Sequence, residues 1–201
     1  MKIVIATGNS HKVLELSALF GKYNTQNHTF VSMKEAGFTG EIIEDADTFE
    51  GNALIKARAV CKACGCIAIA DDSGLCVDAL NGEPGIYSAR YAGEGASDDA
   101  NNKKLLEKLE NVPLKKRTAR FCCVIAGVFP DGKEVVARGE CEGIIGLQKQ
   151  GKGDFGYDPL FYYEPFGKTF AEMTDSEKNS VSHRGRAVEN FAREFFGVLT
   201  K

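Results

Sequence analysis

Two adjacent carboxylates, Asp71 and Asp72, follow a short apolar run and precede Ser73 and Gly74. The apolar run, residues 67–70, predicts a buried strand, in which successive side chains point to opposite faces. Two like charges this close repel each other unless a divalent cation or a raised pKa relieves the repulsion. Asp-Ser-Gly is also ordinary turn chemistry, so a solvated turn is the competing interpretation.

A second candidate lies where a predicted strand, residues 2–6, gives way to a predicted helix over residues 11–20. Free backbone N–H groups at a helix start, together with the helix dipole, attract anions. Gly8 allows close backbone approach, Asn9 tolerates unusual dihedral angles, and Lys12 adds a positive charge. The turn lacks the second glycine and the Lys-Ser/Thr pair of a P-loop, so it predicts phosphate binding of another kind.

An aromatic loop is the third candidate, because Phe155, Gly156, Tyr157 and Asp158 place two rings and a carboxylate around a glycine. Aromatic faces stack on nucleobases, and an aspartate accepts hydrogen bonds from base N–H groups. A loop whose aromatic rings cover the core is the alternative.

Two cations, His183 and Arg184, follow Ser182, the predicted N-cap of the last helix. Cations in a first helical turn face an unfavourable dipole, and an anionic or carbonyl-bearing ligand would explain them. Lys178 lies just upstream and adds a further donor.

An acidic stretch over residues 41–50 contains Glu44 and Asp45. Read alone, it is a solvated surface. Beside Asp71 and Asp72 it could complete an oxygen-ligand site for Mg²⁺, which prefers one or two carboxylates plus waters and substrate phosphates.

Helices that position these groups are indicated by their ends. Asp47 and Glu50 have the spacing of a capping box, and Gly65 is expected to close the helix that they begin. Ser97 begins a further helix with acidic residues in its first turn, and Gly197 is expected to end the last one.

Strands are predicted at residues 67–70, 75–77 and 160–163, in addition to the first one. Two longer β-branched runs, residues 120–129 and 134–145, flank Pro-Asp-Gly and predict a hairpin. Because helices and strands alternate and one long hairpin is antiparallel, the predicted fold class is α/β with a mixed sheet.

The bulk properties exclude several classes of protein. A chain of 201 residues predicts a single domain over residues 1–201, or two lobes that share a core. A net charge of −3 gives no general attraction to a nucleic-acid polymer. No apolar window reaches membrane-span length and no signal-peptide pattern is present, so we expect a cytoplasmic protein without a membrane partner.

Six ordered motifs carry a family resemblance. They are Thr7-Gly8-Asn9-x-x-Lys12, Asn52-Ala53 through Lys56-Ala57-Arg58, Ala70-Asp71-Asp72-Ser73-Gly74, Pro84-Gly85-Ile86-Tyr87-Ser88-Ala89-Arg90, Phe155-Gly156-Tyr157-Asp158-Pro159 and Ser182-His183-Arg184-Gly185. In this order, over nearly the whole chain, they resemble the inosine triphosphate pyrophosphatase family, the XTP/dITP diphosphatases.

The resemblance implies an enzyme that hydrolyses noncanonical purine nucleoside triphosphates (ITP, dITP, XTP) to the monophosphate and pyrophosphate, and so cleanses the nucleotide pool. It implies a Mg²⁺-dependent homodimer. It also implies a long, mixed, twisted β-sheet flanked by helices, in two lobes with a central cleft.

The resemblance also implies roles for individual residues. Asp72 would be the proton acceptor for the attacking water, and Glu44 and Asp72 would bind Mg²⁺, although Asp45 and Asp47 are close to Glu44 and Asp71 is a further candidate. The substrate would be bound by Thr7, Gly8, Asn9, Ser10, His11, Lys12, Ser73, Phe155, Gly156, Tyr157, Asp158, Lys178, His183 and Arg184. Among these, residues 7–12 would hold the phosphates and Phe155 would stack on the base. Lys178, His183 and Arg184 would hydrogen-bond to the oxygen-bearing edge of the purine.

Three alternatives remain at this point. The chain could be a pyrophosphatase for other modified nucleotides, or a nucleotide-binding module that has lost catalysis. A thiol-redox protein built on Cys61 and Cys64 is the third, although both cysteines fall on the apolar side of a predicted helix and read as core.

Overall fold

A computed structural model describes residues 1–23, 28–153 and 155–199 of the chain. Its α-helices are α1 (Ser10–Gly21), α2 (Phe49–Cys64), α3 (Asp98–Lys108), α4 (Asp175–Val181) and α5 (His183–Leu199). Its strands are β1 (Lys2–Ile5), β2 (Thr29–Ser32), β3 (Ile67–Val77), β4 (Thr118–Val128), β5 (Glu134–Ile145), β6 (Phe161–Tyr163) and β7 (Lys168–Thr169).

All seven strands form one mixed sheet in the order β2-β1-β3-β4-β5-β6-β7. β1 is parallel to both β2 and β3, whereas β6 is antiparallel to β5 and β7. β4 and β5 are neighbours joined by residues 129–133, a connection too short for parallel strands, so they form the predicted hairpin. The α/β class with a mixed sheet flanked by helices is therefore confirmed.

β3 differs from its prediction. The sequence predicts two short strands at residues 67–70 and 75–77, but one strand of 11 residues runs through the whole segment, and this excludes the alternative of a solvated turn. Within β3, the residues in register with β1 are Ile67, Ala68 and Ile69, which pair with Ile3, Val4 and Ile5. Asp71 and Asp72 therefore lie inside a strand, just beyond the end of its parallel neighbour. Turn-forming residue types were overridden by the sheet, a common effect of tertiary context.

The start of α2 is displaced by one residue from its prediction. Thr48 is the N-cap, and its side chain accepts a hydrogen bond from the backbone N–H of Gly51 at 3.0 Å. The capping box of Asp47 and Glu50 was therefore wrong. The predicted end is confirmed, because Gly65 adopts φ 62° as the C-cap, a left-handed conformation that glycine allows.

The predicted start of α3 is confirmed, whereas the predicted end of α5 is wrong. Ser97 caps α3 as predicted. α5, however, continues past Gly197 to Leu199, because Gly197 does not take the positive φ of a C-cap and Val198 and Leu199 pack against the core. The short helix α4, with Thr174 as its N-cap, was not predicted.

The chain forms two compact units. The first comprises residues 1–72, 123–139 and 184–201, and the second comprises residues 73–122 and 140–183. In the first, a core around Ile5, Phe20, Ile69 and Phe191 packs β1, α1, β3 and α5. The second has its own core around Leu105, Phe121, Phe161 and Phe170. No helix in the described part of the chain has the length and apolarity needed to cross a membrane.

Candidate active site

The two consecutive aspartates of β3 lie in different surroundings within the first unit. Asp71 is 1% exposed and faces Lys12 and Arg184, whereas Asp72 is partly buried and faces Lys56 and Asn52. This divergence follows from strand geometry, since adjacent side chains point to opposite faces. One strand thus supplies a carboxylate to each of two charged clusters.

The Asp71 cluster joins three distant parts of the sequence. Its Oδ2 lies 2.9 Å from Lys12 Nζ and 3.5 Å from Arg184 Nε, and Arg184 Nη1 lies 2.8 Å from Glu15 Oε2. Burial opposes ionisation of Asp71, but Lys12 and Arg184 outweigh it and hold the pKa of this carboxyl well below its usual range. Asp71 is therefore an ionised carboxylate held by two cations.

The Asp72 cluster is centred on a buried lysine. Lys56 Nζ lies 2.6 Å from Glu44 Oε2 and 3.3 Å from Asp72 Oδ1. Asn52 Nδ2 donates to Asp72 Oδ2 at 3.3 Å. Burial raises the pKa of Asp72, and the nearby Lys56 and Lys12 only partly offset this. A carboxyl with a raised pKa is a stronger base than an ordinary aspartate.

α2 explains why these groups meet. Asn52 and Lys56 are four residues apart, so both lie on one face of the helix, and both are buried. The Oδ1 of Asn52 accepts the backbone N–H of Ala46 at 3.0 Å. This bond fixes the segment that carries Glu44 against the same helix face.

The residues present fit a divalent cation such as Mg²⁺. Glu44 and Asp72 are both ion-pair partners of the Lys56 ammonium, and the Glu44 side chain is 37% exposed. No group of three or more His, Cys, Asp or Glu side chains suited to a metal occurs among the residues described. Two carboxylates are enough for Mg²⁺, which usually binds one or two of them and fills its other coordination positions with water and substrate phosphates.

The turn after β1 is ordered by its own side chains. Asn9 Oδ1 accepts the backbone N–H of Lys12 at 3.3 Å, and Thr7 Oγ1 accepts that of Asn9 at 3.2 Å. Asn9 thus occupies the N-cap position of α1. The side chains of Ser10 and His11 lie outside the described part of the structure, so their predicted phosphate contacts stay predictions.

The aromatic loop lies in the second unit. Phe155 is 41% exposed, and Lys178 Nζ lies 5.2 Å from the centroid of its ring. Lys178 also forms an ion pair with the buried Asp158. Tyr157 is buried in the core and its hydroxyl donates to Ser88 O at 2.9 Å, so of the two rings only that of Phe155 is exposed.

His183 and Ser73 are the other predicted substrate-binding residues that lie in the second unit. The His183 ring stacks on Phe121, with centroids 4.8 Å apart, and only 5% of the residue is exposed. Ser73 is half-buried and directly follows Asp72 in β3. The first unit therefore assembles the charged groups, and the second contains the aromatic loop, Lys178 and His183.

Three residues of the clusters had no predicted role. Lys56 and Asn52 belong to a motif that was recognised, but nothing was assigned to either side chain; their i, i+4 spacing on a helix was the available signal. Glu15 follows Lys12 by three residues, which places both on one side of α1. Its pairing with Arg184 spans most of the chain, so sequence spacing gave no sign of it.

Comparison with known proteins identifies the family of this chain. A family model described as the Ham1 family matches residues 3–194. A "dITP/XTP pyrophosphatase" of Desulforamulus reducens is 53% identical over 190 residues, which are 94% of this chain and 92% of that protein.

Solved structures agree as well. The Ham1 protein of Staphylococcus aureus has a TM-score of 0.87 at 42% identity, with 98% of this chain and 99% of that one covered. A HAM1 protein from Coxiella burnetii has a TM-score of 0.89 at 39% identity, with the same coverage of both chains.

Proposed function

Because this chain belongs to the Ham1 family, we propose that it hydrolyses dITP, ITP and XTP to the monophosphate and pyrophosphate. The observation that carries the proposal is the charged assembly of the first unit. There, Lys12, Lys56 and Arg184 converge on Asp71 and Asp72 from three separate helices. Phosphoryl transfer depends chiefly on positioning and charge neutralisation, which such an assembly supplies.

The triphosphate would be held by Lys12 and the start of α1. An ammonium group has three donors, so the bond from Lys12 to Asp71 leaves others for phosphate oxygens. The ion pair also directs the lysine, because the side chain of its partner, Asp71, is fully buried. Backbone N–H groups of the turn from Thr7 add to the attraction.

Asp72 would accept the proton of the attacking water at a carboxylate oxygen. Lys56 and Asn52 hold one oxygen each, at 3.3 Å, and so fix the plane of the carboxylate. This orientation suits Asp72 to general-base catalysis.

Mg²⁺ would be held by Glu44 and Asp72. When bound, it neutralises charge on the phosphates. Lys56 already bridges the two carboxylates and keeps them from separating. We assign this role to Asp72 rather than to Asp71 because the ion-pair partners of Asp71 are Lys12 and Arg184.

The base would stack on Phe155 and be read by Lys178 and Asp158. Hypoxanthine and xanthine present a 6-oxo acceptor and an N1–H donor, which match an ammonium and a carboxylate. Adenine presents the opposite polarity, so neither group finds its complement on the base, a mismatch that can discriminate by roughly 10⁴-fold. The predicted contacts of His183 and Arg184 with the 6-oxo group stay predictions, and Arg184 pairs here with Glu15 and Asp71.

A panel of triphosphates tests the proposal. With Mg²⁺, we expect pyrophosphate release from ITP, dITP and XTP to exceed that from ATP by at least about 10³-fold in kcat/KM. Release of orthophosphate alone would contradict it. A preference for modified pyrimidines would support the alternative pyrophosphatase, and tight ITP binding without turnover would support the silent binding module.

Substitution of Asp72 tests the proton acceptor. We expect Asp72→Asn to lower kcat for ITP by at least about 10²-fold, because an amide cannot accept the proton, while Tm stays within a few degrees of the wild type. The matched control is Asp47→Asn, at an exposed position before α2. Full turnover in the Asp72 variant would exclude it from this role.

Removal of the metal tests Glu44. Chelation should abolish turnover, and added Mg²⁺ should restore it. We expect Glu44→Gln to raise the Mg²⁺ concentration needed for half-maximal rate by about 10-fold or more, on the scale of other losses at metal sites. Asp45→Asn, one residue away and exposed, should leave it unchanged. The reverse result would place the ligand at Asp45.

A further inference from the structure

The aromatic loop has little regular structure of its own. Among the described residues from 151 to 160, none lies in a helix or a strand. A segment of this kind is ordinarily mobile unless other elements hold it. Phe155, which the proposed function assigns to the base, can be in place before binding only if something fixes its backbone.

The first turns of α3 supply that restraint. Asp98 Oδ2 accepts the backbone N–H of Gly156 at 2.8 Å. Asn102 Nδ2 donates to the carbonyl oxygen of the same glycine, also at 2.8 Å. The peptide groups on both sides of Gly156 are thus held by two side chains one helical turn apart.

Asn102 is committed to this arrangement. Only 2% of the residue is exposed, and its second Nδ2 bond, at 2.8 Å, goes to the carbonyl oxygen of Asp98. Its Oδ1 is buried with no hydrogen-bond partner among the described residues. The described hydrogen bonds of the amide are therefore the two from Nδ2, one to its own helix and one to the loop.

Gly156 is suited to being held in this way. It adopts φ +55°, a left-handed conformation in which a side chain would be strained. On one side of it is the exposed ring of Phe155, and on the other the buried Tyr157, whose hydroxyl is anchored to Ser88 O. Fixing Gly156 therefore fixes the direction in which Phe155 leaves the loop.

We propose that Asp98 and Asn102 are positioning residues for nucleobase recognition, acting through Gly156 to hold Phe155 in its binding orientation. The inference rests on the proposed function, because the ligand of Phe155 is taken from it. Neither residue takes part in the chemical step. Their loss would lower the fraction of molecules with a competent loop, and apparent affinity falls in proportion to that fraction.

The test compares Asp98→Ala and Asn102→Ala with Asp99→Ala. Asp98 and Asp99 both lie in the first turn of α3, so their removal has a similar effect on the helix dipole. Asp99 pairs with Lys149 at 2.6 Å on the surface and does not contact the loop in any described hydrogen bond. It therefore controls for charge and helix stability.

We expect Asp98→Ala and Asn102→Ala to raise KM for ITP roughly tenfold, the scale of one lost charge-assisted hydrogen bond, with kcat changed less than about twofold. Asp99→Ala should resemble the wild type in both constants. A fall in kcat at unchanged KM, or equal effects of all three substitutions, would overturn the inference.

Amide hydrogen exchange gives a readout that does not depend on activity. The N–H of Gly156 should exchange at least about tenfold faster in Asp98→Ala than in the wild type or Asp99→Ala, because its acceptor is gone. Unchanged protection of the Gly156 N–H in Asp98→Ala would overturn the proposal that Asp98 holds the loop. If the Gly156 N–H is protected in the wild type but the wild type does not hydrolyse ITP, the proposed function is contradicted instead. The role of Asp98 and Asn102 in nucleobase recognition would then fall with it.

Discussion

At the scale of single residues, one strand places two consecutive carboxylates, Asp71 and Asp72, in different electrostatic surroundings. Asp71 is buried and neutralised by Lys12 and Arg184, and it directs both cations. Asp72 keeps a raised pKa and contacts Lys56 and Asn52. We infer that Asp71 organises the cationic side chains while Asp72 acts on the water.

Asp71→Asn tests the organising role. We expect the free energy of unfolding to fall by about 3 kcal/mol, because the substitution leaves Lys12 and the buried Arg184 without their shared carboxylate. Urea denaturation at neutral pH measures it. Asp78→Asn, which removes a half-exposed partner of Arg120, should cost less than about 1 kcal/mol. Equal losses for the two variants would contradict the buried-pair argument.

At the scale of elements, α2 is the piece that aligns the Asp72 cluster. Asn52 and Lys56 both point from its buried face, and Thr48 fixes where the helix begins. Asn52 lies in the first turn that this cap closes, and its backbone N–H donates to the carbonyl oxygen of Thr48 at 3.1 Å. The cap therefore contributes to the geometry of the site as well as to helix stability.

Thr48→Ala tests the cap. We expect a loss of about 1 kcal/mol, since the N–H of Gly51 loses its acceptor, and a fall in Tm of about 2–4 °C. Asp47→Ala is the matched control and should change Tm by less than half as much, because Asp47 precedes the cap. The opposite ranking in thermal denaturation would restore the capping box predicted from the sequence.

At the scale of the whole molecule, the buried charges link folding to pH. Lys12 and Arg184 lower the pKa of Asp71 in the folded state, so ionised Asp71 stabilises the protein above its unfolded pKa, near 3.8. This contribution is lost as pH falls below that value towards the folded pKa.

The expected result is a free energy of unfolding that declines steeply as pH falls below about 4. Denaturation without added metal, at several pH values between 2 and 7, measures the decline. Asp71→Asn, which cannot titrate at this position, should start lower and decline less. Parallel curves for the two proteins would show that other carboxylates carry the acid sensitivity.

Local residue patterns determined much of this protein. The alternation of helices and strands gave the α/β class, Ser97 and Gly65 marked helix ends, and the hairpin followed from its turn residues. Local spacing suffices there because capping and turn formation involve neighbours in the chain. Ordered motifs also indicated the family and most of the candidate site residues.

Only the tertiary structure decided which partners those residues have. The sheet carried β3 through a segment with turn-like sequence, and packing continued α5 beyond Gly197. The pairing of Arg184 with Glu15 and the clamp of Asn102 on Gly156 join residues far apart in the chain. Such contacts depend on how the elements pack, because a side chain's charge and spacing do not specify which distant group it will meet.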